Sequence, residues 1–377
     1  MIFLRMPGGR CSQDHRAVHA GRSSQRERHV ETAMVRPEIS LALPPSTRIV
    51  EYARAAEQLG YHRVWVYDSP ALYGDIWIAL ARIAEATQRI GVGTGVAIPS
   101  LRHPLVTASA IASVEDLAPG RLVAAFGTGF TGRKAMGKPA MKWADVATYV
   151  RQLRGLLAGE VVEIEDVPCQ MMHAAGWAPP RPITTPLWLA PSGPKGHVTA
   201  QELDVAGVIV PMVPEPHQRA GRPTALLTHG TIVRPGEDHT TPRLVGAAGP
   251  WFATLSFHGL WDMSPDLIEQ VPGGTVWRDA MLAARPPEQR HLAVHEGHIT
   301  VITERDHPAV AAAGPAILST GWTGDAATVA TRIHEAGESG ITEIVYAPAA
   351  PDVIDELEAF MSAASGGHSH HGVTHLG

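Results

Sequence analysis

The residues best suited to chemistry in this chain sit where short apolar runs end. Val92-Gly93-Thr94-Gly95-Val96 closes one run, Phe126-Gly127-Thr128-Gly129 closes the next, and Asp68 follows a third, Val64-Trp65-Val66-Tyr67. Glycine at a strand's end lets the backbone approach a ligand closely. The paired Gly-Thr-Gly triplets therefore predict a bed for a flat, flavin-like cofactor. Ser192-Gly193-Pro194-Lys195-Gly196 opens a helical stretch, where free N–H groups, the helix dipole and Lys195 suit an anion. Neither triplet continues to the third glycine of a dinucleotide fingerprint, and no Walker sequence is present. For proton transfer near neutrality, histidine has the most suitable unperturbed pKa. His103, His258, His295 and His298 are the candidates, and His103 follows the run that ends in the first triplet. His103 equally well begins a helix, and Asp68 equally well serves as a turn residue. His295-Glu296-Gly297-His298 looks like a metal pair, but Gly297 and its loop setting argue against a helical zinc motif. No metal is expected.

These groups need elements to position them. Apolar runs at 38–43, 63–67, 90–96, 122–126, 187–190, 207–210, 243–248 and 343–346 read as strands. Residues 226–233 carry a further strand-like run within an irregular stretch. Helical spacing covers 47–59, with Ser46 as N-cap and Gly60 as C-terminal stop, then 75–88, 104–117, 142–158, the stretch that follows the turn 191–196 up to about 203, 325–336 and 352–364. Eight strands alternating with helices predict an α/β fold, a (β/α)8 TIM barrel with insertions in its second half. An open doubly wound sheet shares the alternation, but the eighth strand and its helix close the count. In either case a ligand sits at the carboxyl ends of the strands.

Composition narrows the class. The chain has 377 residues, is 45% hydrophobic and 18% charged, and carries a net charge of −6. That is enough apolar material for a large core. The lack of a basic run in the body excludes a nucleic-acid groove as the main function. Cys11 and Cys169 lie in unlike contexts, so no disulfide framework is expected and a cytoplasmic location is compatible. No run of about 18 apolar residues predicts a membrane span. Residues 1–36 hold seven arginines against Asp14, Glu27 and Glu31. They read as a disordered basic arm, or as an over-long frame whose start is Met34. The expected domain is 37–364. Residues 365–377, with His368, His370, His371 and His375 among Gly and Ser, read as a disordered tail.

Taken together, the motifs resemble the luciferase-like monooxygenase superfamily, in particular its coenzyme-F420-dependent reductases and dehydrogenases of the methylenetetrahydromethanopterin reductase type. The resemblance is carried by Val64 to Asp68, Arg89 to Val96, Arg102-His103-Pro104, Leu117-Ala118-Pro119-Gly120-Arg121, Phe126 to Gly129 and Pro186 to Lys195, in the family's order. It implies a TIM barrel whose mouth holds the deazaflavin ring between the third and fourth strands. It also implies a non-proline cis peptide at Gly95–Val96, with Asp68 at the ring edge and the Thr128-Gly129 turn on the ring or its side chain. Ser192, Gly193 and Pro194, with Lys195, would take the phosphate. The implied activity is hydride transfer to or from a small organic substrate in a cytoplasmic enzyme, possible as a homodimer, with Asp68 and His103 as catalytic candidates. An FMN-dependent monooxygenase using oxygen is the alternative. A non-catalytic ligand-binding barrel is the second. The chain departs from the sugar-phosphate dehydrogenases, which carry His where Ser69 stands and an acid where Phe130 stands. Phe130, Trp251 and His258 point instead to a more apolar substrate pocket.

Overall fold

A computed structural model describes residues 36–349 and 351–366. Eight parallel strands close a barrel: β1 (Glu38–Leu43), β2 (Arg63–Val66), β3 (Gly91–Ala97), β4 (Leu122–Phe126), β7 (Leu187–Leu189), β8 (Gly207–Val210), β9 (Thr224–His229) and β10 (Glu343–Ala347). The remaining two, β5 (Val162–Ile164) and β6 (Val167–Cys169), form a small antiparallel hairpin outside it. Residues along β4, β7, β8 and β10 are buried throughout. That is why these strands read as continuous apolar runs: a parallel strand inside a helix ring has no wet face. The expectations for residues 1–36 and 365–377 concern residues that, apart from Arg36, Ser365 and Gly366, lie outside the described ones.

Alternate side chains feed two cores. Those facing outward, such as Leu41, Val64 and Val92, pack under the helices. Those facing inward, including Val123, Ala125, Ile209 and Val345, fill the barrel around Trp65 and Trp188. The two indoles lie 5.6 Å apart, and the Arg63 guanidinium sits 5.0 Å over Trp65. Trp65 Nε1 donates to Glu343 Oε1 (2.8 Å), and Arg63 Nη1 reaches Glu343 Oε2 (3.0 Å). Arg63 and Glu343 open β2 and β10, so this cluster plugs the amino end of the barrel and leaves the carboxyl end as the mouth. A Cβ on Gly93 would lie 2.5 Å from Trp65, and one on Gly207 2.3 Å from Trp188. Each indole thus needs a glycine on the neighbouring strand.

The seventh barrel strand is not residues 243–248. Those residues lie in the helix Pro242–Ala253, with Leu244, Ala247, Ala248 and Trp251 buried at helical spacing and Pro242 in its first turn. The strand-like run beginning near residue 226 supplies the barrel strand instead, as β9, pairing with β8 and β10. The first helix begins at Ile49 after Arg48, not at Ser46, whose carbonyl accepts from Ile49 N (3.4 Å). Gly60 does end it, at φ +85°. The expected insertions are present. The longest separates β9 from β10 and builds its own core from Phe252, Phe257, Ile268, Trp277, Met281 and Val310. No helix among the described residues is long and apolar enough to cross a membrane.

Candidate active site

The mouth is formed by the segments at the carboxyl ends of the barrel strands. Between β3 and β4 the register slips: Thr94 pairs with Ala124, and Ala97 with Phe126, so three steps of β3 face two of β4. The Gly95–Val96 peptide inside that irregularity is cis, where the resemblance places it. Gly95 and Val96 are half-buried, while Gly93 and Thr94 beneath them are buried. Thr94 latches the two strands, its Oγ1 bridging the carbonyl and N–H of Ala125 at 2.7 Å each.

Packing accounts for the glycines of both triplets. A Cβ on Gly95 would sit 2.9 Å from Trp65 Cβ, and one on Gly127 2.8 Å from Val96 Cγ2. Gly129 adopts φ +73°, and its Cβ would lie 2.6 Å from Ile98. The second triplet thus accommodates Val96 and Ile98 of the neighbouring strand and its extension. Thr128 is half-buried, and its carbonyl accepts from Met141 N (2.9 Å). Phe130 follows at the start of the short helix Phe130–Lys134 and is exposed, with Lys134 Nζ 5.8 Å from its ring.

Asp68 is buried at the end of β2 and already engaged. Its Oδ2 accepts from Ile98 N (3.0 Å) and from Arg102 Nη1 (2.8 Å). Arg102 extends its other arm to Asp75 Oδ2 (2.7 Å), and Asp75 caps the following helix through Trp77 N and Ile78 N. Burial raises the Asp68 pKa, and the Arg102 charge opposes that shift. Asp68 therefore ties β2 to the end of β3. Arg102, marked in sequence only as part of a motif, is the residue that holds it. His103 is the N-cap of the helix Pro104–Leu117, its Nδ1 accepting from Leu105 N (3.1 Å). That bond leaves the ring proton of neutral His103 on Nε2.

Trp251 reaches the mouth from a helix rather than from a strand end. Its Nε1 donates to Ala347 O (2.8 Å) at the end of β10, and its ring stacks on His229 at 4.3 Å. His258 does not reach the mouth: it is 1% exposed, enclosed with His295 and His298 in the insertion. Ser192, Pro194 and Lys195 are exposed at the start of the helix Pro194–Glu202. Pro194 brings no N–H, and the Gly196 and His197 N–H groups turn back to Gly193 O (3.0 and 3.3 Å). The Ser192 hydroxyl, the Gly193 N–H and the Lys195 N–H and ammonium are the donors this turn offers an anion.

Two mouth residues escape sequence reasoning. Tyr67 continues the inward side of β2, two residues after Trp65, and its hydroxyl is buried with no partner. His229 ends β9 on the side of Ala225 and Leu227, and its Nε2 is likewise buried and unpartnered. Burial lowers the His229 pKa to about 4. Period-two alternation marks His229 once β9 is in register. The misplaced seventh strand concealed it. A cavity of about 560 Å³ opens beside His229, lined also by Leu227, Met212, Gly321 and Trp322. Val96, Ala190 and Leu227 make the mouth wall apolar. Two unpaired polar atoms on an apolar wall fit a flat ring with hydrogen-bonding edges.

With this geometry established, comparison with known proteins gives the class. The luciferase-like monooxygenase family model matches residues 22–225, more than half of the chain, and the chain belongs to that family. Among its relatives, a 5,10-methylenetetrahydromethanopterin reductase of Methanolobus tindarius is 34% identical over 128 residues, 32% of this chain and 37% of that protein. An F420-dependent hydroxymycolic acid dehydrogenase of Mycobacterium tuberculosis is 40% identical over 90 residues, 22% of this chain and 25% of that protein. The matches thus span well under half of these two relatives. In fold, the chain resembles the coenzyme F420-dependent tetrahydromethanopterin reductase of Methanopyrus kandleri (TM-score 0.59, 22% identity, 87% of this chain and 97% of that one). It also resembles the FMN-bound oxygenating constituent of 3,6-diketocamphane monooxygenase from Pseudomonas putida (TM-score 0.53, 13% identity, 88% and 98%).

Proposed function

We propose that this chain is an oxidoreductase that uses coenzyme F420 for hydride exchange with a small organic substrate. The observation that carries the reading is the barrel mouth itself. A bulged, half-buried Gly95–Val96 edge faces an apolar wall on which Tyr67 and His229 each hold an unpaired polar atom. The choice of a deazaflavin over FMN is supported by the cofactor in the name of one of the relatives, the F420-dependent hydroxymycolic acid dehydrogenase.

When bound, the deazaflavin supplies the hydride chemistry; the protein supplies position, dryness and a proton. Val96 offers one face for the ring. The Tyr67 hydroxyl, whose pKa burial raises, remains a hydrogen-bond donor to a ring-edge acceptor. Lys195 and its N–H would take the phosphate. Asp68, locked by Arg102 and Ile98 N, fixes the edge of β3 on which the ring would lie. His229, kept neutral by burial against Trp251, can accept or donate one proton at Nε2. His103 Nε2 is the other candidate for that proton. Phe130 and Trp251 favour an apolar substrate.

Titration of the purified protein with F420 and with FMN tests the proposal. Tighter F420 binding is expected, and Tyr67→Phe should weaken it several-fold, the size of one hydrogen bond of about 1 kcal/mol, without loss of stability. Tighter FMN binding with oxygen consumption would replace this reading with the monooxygenase. Binding of neither cofactor would favour a non-catalytic barrel.

A further inference from the structure

We propose that His258, His295 and His298 bind a divalent transition metal of the zinc class, which fastens the insertion over the barrel mouth. His258 lies in a π-helical turn (Thr254–Gly259), whereas His295 and His298 follow the short helix Arg290–Val294. Their Nδ1 atoms converge. His258 Nδ1 and His298 Nδ1 are 3.1 Å apart, and His295 Nδ1 and His298 Nδ1 are 3.3 Å apart. A tetrahedral site with zinc–nitrogen bonds of 2.0–2.1 Å has edges of about 3.3–3.4 Å. Two of the three nitrogen–nitrogen edges therefore already stand at about the tetrahedral spacing, and the ligand atoms of all three histidines lie within 4.8 Å of one another.

Protons alone satisfy this arrangement poorly. Asp262 Oδ2 lies 3.1 Å from His295 Nε2, which places that ring's proton on Nε2 and a lone pair on Nδ1. His258 Nε2 has no hydrogen-bond partner, with Asp306 Oδ2 at 4.0 Å, so Nδ1, facing His298, is the ring nitrogen of His258 that meets a polar neighbour. His298 Nδ1 has at most one proton to share between two acceptors. A cation at the centre takes all three lone pairs, and carboxylates behind the imidazoles are the usual outer partners of such ligands.

The site would act on the mouth without touching substrate. Tyr73 OH donates to His298 O (2.6 Å), and Ile299, the next residue, packs into the inner core with Trp65 and Trp251. The paired motif His295-Glu296-Gly297-His298 lacked a third ligand in sequence. The π-turn supplies it from a position forty residues upstream of His298.

The test uses the full chain with His368, His370, His371 and His375 replaced by serine, so that the tail binds no metal. After chelation and dialysis, zinc is titrated calorimetrically, and cobalt is followed by its visible absorption. One equivalent should bind, cobalt should give the intense spectrum of a tetrahedral site, and zinc should raise the melting temperature. Asp262→Asn should weaken binding roughly 10- to 100-fold, and His295→Gln/His298→Gln should abolish it. Absence of stoichiometric binding, or unchanged affinity in the double variant, overturns the proposal. If the double variant does not fold, unchanged affinity in Asp262→Asn overturns it.

Discussion

Replacing Gly93 by alanine separates two explanations of the first Gly-Thr-Gly triplet. If the glycine is there for a ligand, the substitution should affect cofactor binding. If it is there for Trp65, the substitution should affect the fold. The new Cβ would lie 2.5 Å from Trp65 Cε3 and 2.6 Å from Cζ3, about 1 Å short of the usual carbon–carbon separation of roughly 3.5 Å. The ring cannot swing away. It is fully buried, hydrogen-bonded to Glu343 at 2.8 Å and packed against Trp188. The cost should fall at the upper end of overpacking, about 3 kcal/mol. Trp65→Leu alone should cost roughly as much through the cavity it leaves. The double variant should be less destabilised than the sum by about 1–2 kcal/mol, because the smaller side chain admits the methyl group. Urea unfolding followed by circular dichroism gives each value from the midpoint at constant slope. Folded Gly93→Ala protein should keep its affinity for F420. A shift below about 0.5 kcal/mol, or strictly additive losses across the cycle, would refute the packing argument.

Two further perturbations address buried charge. His229 titrates near pH 6.5 when unfolded and at about 4 when folded. Its contribution to stability is therefore complete above pH 6.5 and drains away as pH falls toward 4, at up to about 1.4 kcal/mol per pH unit. His229→Gln should flatten the wild-type acid slope in that window, and parallel stability curves would disprove it. Arg243→Met removes the 2.6 Å partner of Glu356, a carboxylate only 1% exposed, and should cost about 3 kcal/mol. Burial already raises the Glu356 pKa, the Arg243 charge opposes that shift, and losing Arg243 should raise it further. The loss should be larger at pH 8 than at pH 5, and adding Glu356→Gln should recover most of it. A pH-independent loss would count against the unpaired charge as its cause.

How much of this was legible in the sequence depended on range. The early strands, the eightfold count and the insertions were readable because buried parallel strands leave dense apolar runs and glycine or aspartate punctuates the helices. Gly60 and Asp75 do as their residue types suggest. Residues 243–248 misled because Leu244, Val245, Ala247 and Ala248 suit a short buried strand and a buried helix equally well. What decided was Pro242 and a run long enough to bring Trp251 over β10. The positions of Asp68 and His103 were visible, but not their partners, since Arg102 and Leu105 N engage them through geometry that local sequence does not encode. Tyr67 and His229 needed the register of their strands. His258 needed the insertion to fold before it met His295 and His298.

The slip between β3 and β4 also alters the phase of the chain beyond it. Side chains along a strand alternate, so each residue's side is inherited from its predecessor. On β3, Val92 lies on the outer side while Gly93 and Gly95 lie against Trp65. Strict alternation would send Val96 outward and Ala97 inward. With one residue more than the partner strand, Val96 joins the inner core and Ala97 the outer one. Two neighbouring positions thus look into the mouth, and every residue after them has exchanged sides. Loss of one residue here would make the ladder regular and leave one inward position where two now look into the mouth, so the length of this strand sets the shape of the site as firmly as its composition does.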